Sequence, residues 1–214
     1  MKIQTLAIAV LSMLIAACSG GTTAGLLPAP KVLAGDVDGD FYTAENGAFR
    51  VRLPHPPSRS PDDANEWRYS EVREIAEVDP TGEKTIVGVV FGPAAMDRNL
   101  YHAVLIPESL ESPATDHAKN IFASKAKARG GDLSQEHFEV FDLNGRAVYY
   151  AVYRSEAQYL LLSLTDNGSS FYAVEADIVI RSNRAPKSID VLISREWETF
   201  NAMLGSFTVL NDQS

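Results

Sequence analysis

The chain has 214 residues, a formal net charge of −9 and one cysteine. A chain this acidic is a poor candidate for binding nucleic acid or anionic lipid headgroups through its general electrostatic field, so we expect no nucleic-acid partner. The single thiol excludes an intramolecular disulfide, and the length suits one folded domain with a short additional segment.

The first 20 residues contain a short apolar segment that ends directly at the cysteine. A positive charge at Lys2 precedes the 12 residues 6–17. This segment is too short to span a bilayer, which requires ~20 apolar residues, and it is typical of a secretory signal peptide. Residues 15–18 (IAAC) resemble the lipobox of bacterial lipoproteins. The alternative is an ordinary cleaved signal peptide in which the cysteine is incidental.

The lipobox resemblance implies that residues 1–17 are removed and that Cys18 becomes the first residue. It also implies a diacylglyceryl group on the Cys18 sulfur and a further acyl chain, such as palmitate, on the new amino terminus. Two or three acyl chains are sufficient for stable anchoring. Ser19, rather than an aspartate, follows the cysteine, which in such lipoproteins implies the outer membrane, with the folded part at its periplasmic face. The membrane is then a partner through this lipid, and loss of Lys2 takes the net charge from −9 to −10.

Residues 18–40 are expected to form the lipidated end and a flexible tether, followed by a single globular domain over 41–214. The acidic stretch 36–40 (DVDGD) suggests a calcium loop. An EF-hand loop requires glycine at position 6 and glutamate at position 12, where this sequence has Phe41 and Gly47. We therefore interpret the acidic stretch as a solvated linker.

Most of the domain is predicted to form strands, because runs of β-branched and aromatic residues are separated by turn signals. Asn144-Gly145 is the strongest short signal for a hairpin, and such short turns require antiparallel pairing. Several strands are apolar throughout, so both faces of the sheet should be covered. The expected strands are 49–53, 67–78, 84–91, 100–106, 138–142, 146–154, 159–165, 171–180 and 189–193.

The first of two predicted helices begins with Ser112 as its N-cap and Pro113 at the first helical position, and it ends at Gly130. Basic residues lie near its C-terminal end: Lys125, Lys127 and Arg129. They could form a patch for an acidic partner. We favour a solvated helix end, in which these charges complement the helix dipole.

The second predicted helix covers 195–204, with Ser194 as its N-cap. Trp197, Phe200 and Leu204 form its apolar stripe, which should be buried against the sheet. One helix on each face of the sheet gives an α+β domain, an α/β/α sandwich around a mostly antiparallel sheet.

Three stretches of the domain carry a resemblance to a known family: 47–54 (GAFRVRLP), 143–147 (LNGRA) and 197–207 (WETFNAMLGSF). They resemble the PsbP/Mog1-type domain over about residues 41–210. The resemblance implies the α/β/α fold and binding without catalysis. Members of that family serve as a photosystem extrinsic subunit, a Ran-GTPase partner and lipid-anchored envelope proteins. It carries no functional residue to this chain.

Glu175 and Asp177 are the leading candidates for chemistry. They lie two residues apart in a predicted strand, so both side chains point to one face. Paired carboxylates on a rigid strand can perform acid/base catalysis or bind a hard cation. The structural alternative is an ion pair with Arg154 or Arg181 at the rim of the sheet, or plain exposure to water.

Other residue types suggest chemistry less strongly. The four histidines (His55, His102, His117 and His137) lack metal-ligand spacing, and His137 between Glu136 and Glu139 is better explained as part of a wet edge strand. Five tyrosines could form a platform for glycan or peptide, but core packing explains them better: Tyr149, Tyr150, Tyr153, Tyr159 and Tyr172. Nucleophile-elbow, phosphate-loop and dinucleotide motifs are absent from the sequence, so we expect no cofactor and no metal.

These observations favour a non-catalytic binding or scaffold domain, anchored to the membrane by Cys18 and facing an envelope protein partner. The alternative is an envelope hydrolase or cation-binding protein that uses Glu175 and Asp177 with a histidine. That alternative requires both carboxylates to converge on a pocket with a histidine or an arginine.

Overall fold

A computed structural model describes residues 33–54, 71–92, 99–130, 132–180 and 186–210. These residues belong to one unit that begins at Leu33. Cys18, the predicted signal peptide, His55 and Arg181 lie outside the described residues. Among the helices that the structure describes, none is both long and apolar enough to cross a membrane.

The described residues form two antiparallel sheets and two helices. The large sheet has the strand order β4-β5-β6-β10-β9-β8-β7. Its strands, in chain order, are β4 Glu71–Val78, β5 Lys84–Gly92, β6 Leu100–Ile106, β7 Ser134–Leu143, β8 Arg146–Arg154, β9 Gln158–Asp166 and β10 Phe171–Val179.

The turn between β7 and β8 shows why the sheet is antiparallel. Asn144 and Gly145 both have positive φ, 57° and 81°, as a tight two-residue turn requires. Asp142 strengthens this turn, because its Oδ1 accepts the Gly145 N–H at 3.0 Å. The hairpin predicted from Asn144-Gly145 is therefore confirmed, although β7 begins at Ser134, four residues earlier than expected.

A small sheet, which was not predicted, has the order β1-β2-β3-β11. It contains β1 Asp36–Asp38, β2 Phe41–Thr43, β3 Phe49–Arg52 and β11 Thr208–Val209. The acidic stretch that we interpreted as linker therefore includes a strand, in which Val37 pairs with Tyr42 of β2. Pairing with β2 satisfies backbone groups that a solvated linker would leave to water.

The N-terminal end of the small sheet is fixed to the large sheet by Glu74 of β4. The backbone N–H groups of Ala34 and Gly35 donate to its carboxylate at 3.0 and 2.7 Å, and the Tyr42 hydroxyl donates at 2.6 Å. Burial raises the pKa of Glu74, but these three hydrogen bonds outweigh it and hold the pKa below its ordinary value. Gly35 lets this segment pack closely against β2, since a Cβ at Gly35 would collide with the Thr43 carbonyl oxygen.

One face of the large sheet is covered by α1, Ala114–Arg129. Ala118, Phe122 and Ala126 are buried on this helix and pack against apolar residues of β8, β9 and β10. The glycine stop of this helix is confirmed, because Gly130 has a φ of 73°. Its N-terminus differs from the prediction.

Pro113, rather than Ser112, is the N-cap of α1, with an extended backbone at φ −77° and ψ 127°. No side-chain cap is formed there. The Pro113 carbonyl instead accepts the backbone N–H groups of Asp116 and His117, at 3.0 and 3.2 Å. Proline suits this place because it lacks the N–H that a helix start would leave unsatisfied.

The opposite face is covered by α2, Pro186–Ser206, together with the small sheet. Phe207 joins the layers, because its ring stacks on Tyr172 of the large sheet at 4.2 Å and on Phe49 of the small sheet at 5.3 Å. The α/β/α sandwich thus describes this α+β fold only loosely, since one outer layer contains strands as well as a helix.

The start of α2 corrects a second prediction. Residues 189–193 were expected to form a strand because they are rich in β-branched residues, yet they lie within α2. The helix also begins nine residues before the predicted position, with proline in its first turn. The spacing of Ile193, Trp197, Phe200 and Leu204 continues one apolar stripe toward the sheet, and tertiary packing along it overrides local strand propensity.

Candidate functional site

The predicted acidic pair lies near the middle of the large sheet. Glu175 and Asp177 are on β10, where Glu175 pairs with His102 of β6 on one side and Leu162 of β9 on the other. Both carboxylates point to the face covered by α1, as the two-residue spacing requires. Glu175 is 2% exposed. The acids are therefore removed from the rim where an exposed ion pair was expected.

Two cations of α1 reach down to this pair. Lys125 Nζ contacts Glu175 Oε1, and Arg129 donates from Nη2 to Glu175 Oε2 at 2.6 Å and from Nε to Asp177 Oδ2 at 3.3 Å. We call Glu175, Asp177, Lys125, Arg129 and His102 the ionic cluster. It links the C-terminal end of α1 to β10.

The geometry of the two elements explains why these four charges match. Lys125 and Arg129 are four residues apart on a helix, which separates them by about 6 Å along its axis. Glu175 and Asp177 are two residues apart on a strand, which separates them by about 6.6 Å. Equal spacing lets each basic side chain meet the acidic side chain beneath it, and Arg129 bridges both.

Polar side chains of the neighbouring strands complete the surroundings of Asp177. His102 Nε2 lies 3.5 Å from Asp177 Oδ2, and Gln158 Nε2 lies 3.5 Å from Asp177 Oδ1. Both distances are at the outer limit for a hydrogen bond. His102 is thus close enough to contribute to the field at Asp177, while Arg129 provides the shorter contact.

The surroundings favour the charged forms of two members of the ionic cluster, Asp177 and Arg129. Burial raises the pKa of Asp177, but the His102 contact and the Arg129 charge outweigh burial and lower that pKa. Burial lowers the pKa of Arg129, yet the two carboxylates raise it overall. Asp177 and Arg129 are therefore both charged at neutral pH, and the two acidic side chains of β10 lie against two basic side chains of α1.

This arrangement brings the acids together with His102 and Arg129, as the hydrolase or cation-binding hypothesis requires. It places them beneath a helix, however, and the oxygens of Glu175 already accept from Lys125 and Arg129. A shallow open depression in the described surface is lined instead by two hairpin turns, including Gly145 and Gly168. Glu175 is about 13 Å along β10 from the second of these turns. The contacts of the ionic cluster therefore hold α1 against β10.

The basic end of α1 is therefore only partly solvated. Lys127 is exposed, as expected for a helix end in water, whereas Lys125 and Arg129 are turned toward the sheet with side chains 27% and 22% exposed. Arg154, which was considered as a partner for the acidic pair, lies 3.5 Å from Glu136 and 5.0 Å from the ring of Tyr159.

The other candidates occupy structural positions. His117 Nδ1 accepts the Glu111 backbone N–H at 2.7 Å, and His137 lies 3.5 Å from Glu139 on the exposed strand β7, which confirms the edge-strand interpretation. Within the described ranges, no group of three or more histidines, cysteines or acids could hold a metal ion. The five tyrosines are all buried, so the core interpretation is confirmed: Tyr149, Tyr150, Tyr153, Tyr159 and Tyr172.

A further carboxylate, which is partly buried, was not singled out from the sequence. Glu196 of α2 faces the sheet, where the Tyr101 hydroxyl of β6 donates to its Oε2. Burial raises the pKa of Glu196 to about 7, and a hydrogen bond from Asn99 opposes this shift. Glu196 directly precedes Trp197 of the apolar stripe of α2. An acidic residue beside such a stripe is the sequence signal from which a carboxylate at the helix–sheet boundary could have been predicted.

Comparison with known proteins shows a similarity in structure but none to a protein family or a curated protein. No protein-family model matches the chain, and no curated protein matches it. Among solved structures, the chain is similar to the solution structure of cyanobacterial PsbP (CyanoP) from Synechocystis sp. PCC 6803. The two chains are 18% identical, with a TM-score of 0.47, and the match covers 84% of this chain and 99% of that chain.

Proposed function

We propose that this protein is a non-catalytic binding or scaffold domain, held by a lipid on Cys18 at the periplasmic face of the outer membrane. The observation that carries the non-catalytic part is the ionic cluster. Glu175 and Asp177, the best candidates for chemistry, are compensated by Lys125 and Arg129 of α1. A general base or a cation site needs carboxylate oxygens that are open to a substrate or an ion.

The proposed PsbP/Mog1-type assignment is supported by the positions of its sequence landmarks. Phe49 and Val51 of β3 are fully buried, Asn144-Gly145 forms a hairpin turn, and Phe200 and Met203 of α2 are fully buried. The landmark residues therefore either pack in the core or form a hairpin turn. This leaves the outer surface of the domain for recognition of an envelope protein, in keeping with a binding role.

The proposed anchor is supported by the lipobox-like residues 15–18. Fifteen positions separate Cys18 from Leu33, the first described residue. A chain of that length spans at most about 50 Å even when fully extended. A domain attached through Cys18 would therefore remain near the membrane surface that carries the lipid, where it could meet an envelope partner.

The anchor is tested by comparing the wild-type chain with Cys18→Ala after expression with radiolabelled palmitate. We expect the wild type to incorporate label and to fractionate with the outer membrane. Cys18→Ala should lose the label and partition into the aqueous phase of a detergent extraction, because no second thiol can accept the lipid. Label and membrane association that persist in Cys18→Ala would contradict the anchor.

The non-catalytic role is tested on the same purified lipoprotein, isolated without chelator. We expect no stoichiometric bound metal and no turnover of esterase, phosphatase, peptidase or glycosidase substrates. Turnover or calcium binding that disappears in Glu175→Gln, while the variant stays folded, would support the hydrolase or cation-binding alternative instead.

A further inference from the structure

Strand β7 is at one edge of the large sheet. It pairs with β8 on its inner side, and the described residues provide no strand on its outer side. β7 is ten residues long, and most of its side chains are exposed. An open edge of this length presents a row of backbone donors and acceptors to any extended segment.

The β7–β8 turn determines which backbone groups face outward. Leu143 and Arg146 flank a two-residue turn and therefore form a hydrogen-bonded pair. Hydrogen-bonded and non-hydrogen-bonded pairs alternate along an antiparallel ladder. Phe138, Val140 and Asp142 then fall at the non-hydrogen-bonded positions, so their N–H and C=O groups point away from β8.

The side chains of this edge carry one sign of charge. β7 contains Glu136, Glu139 and Asp142 but no lysine or arginine. Arg154 of β8 lies 3.5 Å from Glu136, and His137 lies 3.5 Å from Glu139. The Glu136 and Glu139 side chains nevertheless remain 42% and 46% exposed, so both can still approach a partner. Val140, which lies between Glu139 and Asp142, is 47% exposed and offers a small apolar contact.

These charges determine which kind of extended segment can dock at the outer edge of β7. A second copy of this chain, itself carrying a net charge of −9, would place its acids against the same acids. A register shift between Gln135 and His137 interrupts the ladder near one end of β7, which also opposes indefinite strand addition. A lysine- or arginine-bearing strand would find both complementary charge and unpaired backbone groups.

We propose that the outer edge of β7 docks an extended segment of a partner protein in which lysine or arginine alternates with small apolar or hydroxyl residues. The segment adds a strand beside Phe138, Val140 and Asp142, and its basic side chains meet Glu136 and Glu139. The inference rests on the proposed binding function, because it names the surface and the partner chemistry that this function requires.

The test uses the full-length lipoprotein in detergent micelles and a fluorescent ten-residue peptide in which lysine alternates with threonine and valine. Fluorescence anisotropy measures the dissociation constant for wild type, Val140→Pro and Val140→Thr. Proline removes an outward N–H without removing a β7–β8 hydrogen bond, and edge strands tolerate it. Threonine is the matched control, since it keeps the N–H and the β-branched shape.

We expect Val140→Pro to weaken peptide binding at least tenfold and Val140→Thr to change it less than twofold. Glu139→Lys should also weaken binding, and a peptide with glutamate in place of lysine should not bind. If Val140→Pro lowers the melting temperature, a lysine peptide with alternate amides N-methylated tests the edge on wild-type protein, and it should bind at least tenfold more weakly than the unmodified peptide.

Equal binding of the N-methylated and unmodified peptides would show general charge attraction and overturn the proposal, as would a lysine peptide that does not bind. Dimerisation of the lipoprotein through β7 would overturn it in favour of a second copy. The experiment also distinguishes an error in the β7 proposal from an error in the proposed binding function. If Val140→Pro remains lipid-anchored and crosslinks to the same envelope protein as wild type in intact cells, the binding function stands and the β7 proposal is wrong.

Discussion

Removal of the Arg129 guanidinium is the sharpest perturbation of the ionic cluster. In Arg129→Met the helix keeps an unbranched side chain of similar length, but Glu175 retains only Lys125 and Asp177 loses its nearest cation. Breaking a buried ion pair by removing one partner destabilises a protein by about 3–5 kcal/mol, because the remaining charge stays buried. Since the Arg129 side chain is 22% exposed, we expect a value near the lower limit.

A loss of about 3 kcal/mol in the free energy of unfolding corresponds to a fall in melting temperature of roughly 6–12 °C for a domain of this size. Urea denaturation followed by circular dichroism measures the free energy directly. Lys127→Met is the matched control, because Lys127 lies on the same helix turn but is exposed. It should change stability by less than about 0.5 kcal/mol.

A paired variant separates the loss of a charge from the loss of packing. Lys125→Met with Glu175→Gln removes one cation and one anion, and leaves Arg129 opposite Asp177. This double variant should be destabilised less than Lys125→Met alone, because it leaves no buried carboxylate that has lost its cationic partner. If Arg129→Met and Lys127→Met unfold at the same urea concentration, the cluster does not hold α1 to the sheet and the reasoning is refuted.

Three further predictions concern α2 and the small sheet. Phe200→Ala should destabilise the domain by about 3–5 kcal/mol in urea denaturation, since Phe200 is fully buried, and by more than Trp197→Ala, whose ring is partly exposed. The pKa of Glu196 is about 7 in the folded state and 4.5 ordinarily, so the folded state binds this proton up to a higher pH than the unfolded state does. Wild-type stability relative to Glu196→Gln should therefore fall by up to about 3 kcal/mol as pH rises through this interval, and a pH-independent difference would contradict the assignment. Glu74→Gln should accelerate amide exchange in β1 with little effect on β10, because Glu74 accepts from Ala34 and Gly35; unchanged exchange in β1 would refute this anchor.

Local sequence signals predicted the parts of the fold that depend on neighbouring residues. Asn144-Gly145 specifies a hairpin because both residues tolerate positive φ, and Gly130 ends α1 for a related reason. The apolar runs of β8 and β9 correctly indicated a sheet covered on both faces, and the helices supply part of that cover.

Features that depend on distant residues were not readable. Strand β1 has three residues, and its place in the fold depends on pairing with β2 and on Glu74, about 40 positions away. Residues 189–193 have strand composition, but packing of α2 on the sheet makes them helical. The acidic pair was identified from its spacing, but its partner Lys125 lies 50 positions away along the chain. The sequence suggested Arg154 or Arg181 as the ion-pair partner instead, because nothing local indicates which helix covers the strand.

The central claim is that this chain binds an envelope protein while its acidic pair only supports the fold. The most direct measurement is crosslinking in intact cells, with mass spectrometry of the captured proteins, for wild type and for Lys125→Met with Glu175→Gln. We expect wild type to capture a discrete envelope protein, and the charge-balanced variant to capture the same protein with equal yield. Loss of that capture in a variant with an unchanged melting temperature would show that Lys125 and Glu175 act in function and would contradict the claim.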